Sequence, residues 1–111
     1  MDSVIEAQPG GAAVIRLSGR FDFLSATKVR ERFVAAVEGG HRRLVVDLAA
    51  VDFMDSSGLG ALIGGLKSAR QAGGDLRLAA AGTQAQSVLK LTSLDRVFRA
   101  YASVEDALAD Y

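Results

Sequence analysis

The chain has no cysteine, no tryptophan, a single proline and a single histidine in 111 residues. Without cysteine, neither a disulfide nor a thiolate metal site can form. The histidine, His41, lies in Gly39-Gly40-His41-Arg42-Arg43 between two periodic segments. It has no second imidazole with which to share a metal, so neither a metal nor a catalytic role is expected of it. Aromatic residues make up only 6% and are not interleaved with basic ones, while 13 Lys and Arg cancel 13 Asp and Glu. Nucleic-acid binders normally present a basic face, and clusters as small as Arg42-Arg43 or Arg96/Arg99 do not make one. No apolar run approaches the ~20 residues that span a bilayer. Met1–Glu6 lacks the basic start and long apolar stretch of a signal peptide. A soluble cytoplasmic protein with no membrane insertion and no cofactor is therefore expected.

What is present points to one domain over residues 1–111, half of it hydrophobic. Ser3–Ala7 reads as a short strand, followed by a turn at Pro9-Gly10-Gly11. Ala13, Ile15 and Leu17 then alternate with Val14, Arg16 and Ser18, the period of a strand with one face more buried. Ser25 is a suitable helix N-cap, with Leu24 placed to staple onto Val29. Ala26, Val29, Phe33, Ala36 and Val37 recur at helical spacing until Gly39-Gly40. Arg43–Leu48 is nearly continuous apolar sequence, as in a central strand covered on both faces. A second helical pattern runs from Leu59 to Ala72, and a strand through Leu76, Leu78 and Ala80. Val88, Leu89 and Leu91 predict a third helix, Val97–Tyr101 a last strand, and Ser103 with Asp106 the start of a fourth helix. Strands alternating with helices define an α/β chain with a mixed or mostly parallel sheet.

The second helix contains Gly60, Gly64 and Gly65. Each interior glycine costs about 1 kcal/mol relative to alanine. Gly60, Gly64 and Ser68 share one face at four-residue spacing. Either that face packs closely on a neighbouring element, or it is a smooth surface on which a partner lies close to the backbone.

Residues 52–60, Asp-Phe-Met-Asp-Ser-Ser-Gly-Leu-Gly, stand between a strand and this helix. The first N–H groups of a helix have no internal partner, so a serine there can cap, hold a phosphate or act as a nucleophile. Asp55 alone suffices as an N-cap, which makes Ser56 and Ser57 redundant for that purpose. A nucleophile has little support, because no histidine or lysine stands near in sequence and the segment is neither a G-x-S-x-G elbow nor a P-loop. Phosphorylation has a mechanism: a helix N-terminus tolerates the added negative charge, so its effect would fall on a docked partner.

Val51-Asp52-Phe53-Met54-Asp55-Ser56-Ser57-Gly58-Leu59-Gly60 resembles the signature of bacterial anti-sigma-factor antagonists of the STAS-domain family. Leu17-Ser18-Gly19-Arg20-Phe21-Asp22, Gly73-Gly74-Asp75-Leu76 and Leu91-Thr92-Ser93-Leu94 fall in the family's order, so the similarity covers nearly the whole chain. The resemblance implies a STAS-type single domain: a mixed sheet of about four to five strands with about four helices packed mainly on one side. It implies Ser56 as the residue phosphorylated by a kinase-type anti-sigma factor, with Ser57 as its neighbour and Asp22 close by on the same surface. Asp22, Asp55, Ser57, Gly58, Gly60 and Gly64 would form the partner-binding surface. The unphosphorylated form would bind the anti-sigma factor and free the sigma factor, and a dedicated serine phosphatase would restore it. A non-phosphorylated adaptor of a transport or stress-signalling complex is the alternative within the family. Two departures stand out: Arg20 replaces an acidic residue frequent in such antagonists, and Ser93 replaces a common glycine.

Overall fold

The computed structural model describes residues 1–111. Five strands form one sheet in the order β1-β2-β3-β4-β5: β1 (Asp2–Ala7), β2 (Ala12–Phe21), β3 (Arg43–Met54), β4 (Asp75–Ala79) and β5 (Ala100–Tyr101). β1 runs antiparallel to β2, and all other neighbours are parallel. The crossovers carry α1 (Ala26–Glu38), α2 (Ser56–Gln71) and α3 (Thr83–Leu91), and α4 (Val104–Ala109) follows β5. The element order and the mixed sheet are those expected from the sequence.

The core divides along the strand period. Ala13, Ile15, Leu17, Leu44, Val46, Leu76 and Leu78 pack with Val29 and Phe33 of α1, Leu62 and Leu66 of α2, and Leu89 of α3. The intervening residues Val14, Val45 and Ala79 face the other way, where Val104 and Ala107 of α4 cover them. Three helices therefore lie on one face and the shortest on the other. Both faces of the first half of β2 are covered, which is why Ala12 to Ile15 are all buried rather than alternating.

Several local expectations need correction. β3 does not stop at Leu48 but continues to Met54, with 12 residues set beside the 10 of β2. The surplus is absorbed by register shifts between Arg16 and Ser18 and between Gly19 and Arg20. Such bulges break the period of two and so hide the strand from a pattern search. Asp52, Phe53 and Met54 thus belong to the strand, not to the junction. Ser25 stands at the N-cap position of α1 as expected, but its hydroxyl bonds no helix amide, and Leu24 is 80% exposed, so no staple forms. Asp22 builds that turn instead: its carbonyl accepts from Ser25 and Ala26, and its carboxylate accepts from the Leu24 N–H at 3.1 Å. Leu91 is 86% exposed at the end of α3. The last strand shrinks to Ala100–Tyr101 because Leu94–Arg96 forms a turn of 3-10 helix. Ser93, just after α3, holds φ +60°, a conformation that glycine adopts without strain. Ser103 caps α4 through the Asp106 N–H at 3.1 Å, as expected.

The glycines of α2 separate by role. A Cβ on Gly65 would come 2.6 Å from Phe33 and 2.8 Å from Leu76, so this residue lets α2 sink between α1 and the sheet. One on Gly64 would meet the Arg30 side chain at 3.0 Å. Gly60 alone faces open space. Close packing is therefore the role of Gly65 and Gly64, and only Gly60 leaves the backbone bare to solvent.

Candidate functional site

Parallel strands deliver their carboxyl ends to one pole of the sheet. β2 ends at Phe21, which pairs with Met54 at the end of β3. The Asp55 N–H continues the ladder to the Phe21 carbonyl at 3.3 Å. Asp22 and Asp55 thus leave adjacent strand ends, Asp22 into the turn before α1 and Asp55 into α2.

Asp55 takes the cap. Its backbone is extended, and its Oδ1 accepts from the Ser57 N–H at 2.9 Å and the Gly58 N–H at 3.0 Å. The Asp55 carbonyl begins the helical ladder by accepting from Leu59 at 3.0 Å. Neither serine is needed for this, and the Ser56 hydroxyl, at the first helical residue, is exposed with no hydrogen bond to the protein. Ser57, one residue on, is half-buried. Gly58 is buried, and a Cβ there would lie 2.3 Å from the Phe21 carbonyl oxygen. Only glycine lets the first turn of α2 rest directly on the end of β2.

The junction is held from the other side by a residue that carries no sequence signal for this role. The Gln84 amide, on α3, accepts from the Met54 N–H and donates to the Met54 carbonyl, both at 2.8 Å. β4 ends at Ala79, level with Asp47 of β3, so this stretch of β3 has no strand on that side. Gln84 supplies the missing pair and fixes the backbone immediately before Asp55 and Ser56.

Around the junction the surface is mixed. Asp22 is engaged in its own turn, and its Oδ2 lies a long 3.5 Å from Arg20 Nε. The Arg20 guanidinium sits 4.4 Å above the Phe53 ring, a cation–π contact across the β2–β3 pair. Arg20 thus lies along the β2–β3 surface with most of its side chain exposed. Phe23 is 70% exposed beside the equally exposed Leu24, an apolar pair on the loop that leaves the β2 end. The sequence signal for this is Phe23, an aromatic residue that no periodic element claims. His41 sits at the opposite end of β3, so it forms no pair with Ser56; its Nδ1 is buried without a partner. The arrangement offers a free hydroxyl at a positive helix end beside the Asp55 carboxylate, with an exposed apolar pair on the loop that leaves β2.

The STAS-domain family model matches residues 4–107, and the chain belongs to that family. It is 30% identical over 108 residues to the anti-sigma-F factor antagonist RsfB of Mycobacterium tuberculosis, covering 96% of this chain and 86% of that one. It is 29% identical over 101 residues to the anti-sigma F factor antagonist of Paenibacillus polymyxa, covering 90% and 86%. The crystal structure of an anti-sigma factor antagonist from Mycobacterium paratuberculosis superposes with a TM-score of 0.87 at 29% identity, covering 98% of this chain and 92% of that one. No helix is long and apolar enough to cross a membrane.

Proposed function

We propose that the chain is an anti-sigma-factor antagonist, a binding module rather than an enzyme, switched by phosphorylation of Ser56. Unphosphorylated, it binds a kinase-type anti-sigma factor in the cytoplasm and so releases the sigma factor. The kinase supplies ATP and the base; the Ser56 oxygen takes the terminal phosphoryl group, ADP leaves and the hydroxyl proton passes to the kinase. A dedicated serine phosphatase hydrolyses the phosphoserine with water, which restores the Ser56 hydroxyl and releases inorganic phosphate.

The observation that carries this reading is the division of labour at the helix start. Asp55 satisfies the Ser57 and Gly58 amides, and the Ser56 hydroxyl is left exposed and unbonded. The antagonist names of the relatives support the same reading. A phosphate brings about −1.5 to −2 charges. At a helix N-terminus the fold tolerates that charge. A partner docked over Asp22, Asp55, Ser56, Ser57 and Gly60 meets like-charge repulsion next to Asp55 and a desolvation penalty. A loss of about 3–4 kcal/mol weakens binding several-hundred-fold. Phe23 and Leu24 extend the docking face with apolar contact, while Gly58 and Gly64 act beneath it by setting how α2 lies on Phe21 and Arg30.

The test is calorimetric titration against a kinase-type anti-sigma factor. Ser56→Ala should bind like the native chain, and Ser56→Asp at least about a hundredfold more weakly. Phe23→Ser should weaken binding without lowering the melting temperature. Equal affinity for Ser56→Asp and Ser56→Ala contradicts the switch.

A further inference from the structure

The pole opposite Ser56 is where the parallel strands begin. There the turns before β2, β3 and β4 border an open cavity of about 360 Å3 lined by Gly10, Gly11, Arg42, Arg43 and Gly73, none of them hydrophobic. No carboxylate lines it. In a chain whose charges cancel overall, this is a local concentration of positive charge; Asp75, opposite Arg43 on β4, is engaged by Arg70 and Arg77 instead.

The three glycines keep the space open. All hold positive φ, +80° at Gly10, +82° at Gly11 and +85° at Gly73. A Cβ on Gly10 would lie 3.0 Å from Arg43 Nη2, one on Gly11 3.8 Å from the same nitrogen, and one on Gly73 4.0 Å from Arg42 Nη1. Both guanidinium ends therefore reach the bare backbone around the cavity. The ion pairs of the chain engage Arg16, Arg20, Arg70, Arg77 and Arg99, and neither Arg42 nor Arg43 is among them. Arg42 makes one long contact, to the Ala72 carbonyl at 3.4 Å. Arg43 is half-buried and donates to no protein acceptor. A partly desolvated guanidinium without a partner is unfavourable, and a bound anion relieves it.

We propose that this cavity is an anion site for a compact phosphate-bearing ligand. Two planar forks of N–H donors match the oxygens of a tetrahedral oxyanion. The absence of an apolar wall argues against a nucleobase or acyl chain as the recognised part. The site is separate from the Ser56 junction and independent of the switch proposed there.

The test is titration of the whole chain with inorganic phosphate at low ionic strength, followed by amide and arginine Nε–H NMR shifts, with sodium chloride at matched ionic strength as the control. Saturable shifts are expected at Gly10, Gly11, Gly73 and Arg43, and none at Ser56–Gly58. Arg42→Gln and Arg43→Gln should each weaken binding about tenfold or more, the effect of losing a charge-assisted hydrogen bond. Arg42 is exposed, so its variant reports even if Arg43→Gln fails to fold. Shifts that never saturate, that chloride reproduces, or that keep full affinity in Arg42→Gln overturn the proposal.

Discussion

Asp55 and Ser56 are neighbours with opposite relations to the fold. Asp55 stabilises α2 through two amide contacts at 2.9 and 3.0 Å, whereas Ser56 has none to lose. Asp55→Ala should destabilise the chain by about 1 kcal/mol. That corresponds to a fall of about 4 °C in melting temperature. Ser56→Ala should leave the melting curve within about 0.5 kcal/mol of native, as for an ordinary surface change. Thermal melts of the two variants side by side check this contrast. The cap itself is legible in sequence, because Asp before a helical pattern has a local physical meaning. The Gln84 clamp is not legible, since it depends on α3 lying where β4 has already ended. Nor does residue chemistry alone distinguish Ser56 from Ser57. Their different exposure follows from the direction in which Asp55 turns the chain.

At the scale of elements, α2 is the informative case. Its glycines share a sequence pattern yet meet different surroundings: Gly65 lies against Phe33 and Leu76, and Gly60 against solvent. Gly65→Ala should therefore be destabilising by about 1–3 kcal/mol, the usual effect of overpacking a core. Gly60→Ala should stabilise the chain by up to about 1 kcal/mol through helix propensity, while weakening partner binding by adding a methyl group to the docking face. Chemical denaturation gives the first pair of values and the binding titration the last. Gly60→Ala that lowers stability would show that the exposed backbone there has another role. The helices and strands were readable where a period of 3.6 or two persisted over a whole element. β3 runs unannounced beyond Leu48 because two register shifts interrupt its period, and Leu24 makes no staple because the Asp22 carboxylate and the Ser25 hydroxyl close the turn before α1 on itself.

Across the whole molecule, the two poles of the sheet differ in kind. The carboxyl ends of β2 and β3 carry the free serine and an apolar loop, and the amino ends carry paired arginines around glycine turns. Between them, the face under α4 is closed by a latch. Arg77, only 8% exposed, donates to the Asp110 carbonyl at 2.6 Å, pairs with Asp75 at 3.2 Å and lies 3.9 Å from the Tyr111 ring. The Tyr111 hydroxyl has the carbonyls of Leu44 and Asp75 within 2.6 and 2.9 Å, and Tyr101 hydrogen-bonds the Asp110 carboxylate. Burial first, and the Asp75 charge second, push the Tyr111 phenol well above its ordinary 10.0. A raised folded-state value means this contribution is whole below about pH 10 and is lost as pH rises above it, because only the unfolded chain ionises readily. Tyr111→Phe should cost about 1 kcal/mol at neutral pH and should flatten the loss of stability above about pH 10. Melts across that range check both. An equally steep alkaline loss in the variant would assign it to other groups. This latch joins residues from β3, β4 and the last turn, so no sequence period announces it.

The proposed switch rests on Ser56 as its one phosphoacceptor. Its most direct test is intact mass and peptide mapping of the native chain, Ser56→Ala and Ser57→Ala after incubation with an active kinase-type anti-sigma factor and ATP. One added phosphoryl group is expected, mapped to Ser56, on the native chain and on Ser57→Ala, and none on Ser56→Ala. Phosphate on Ser57, or full modification of Ser56→Ala, would contradict it.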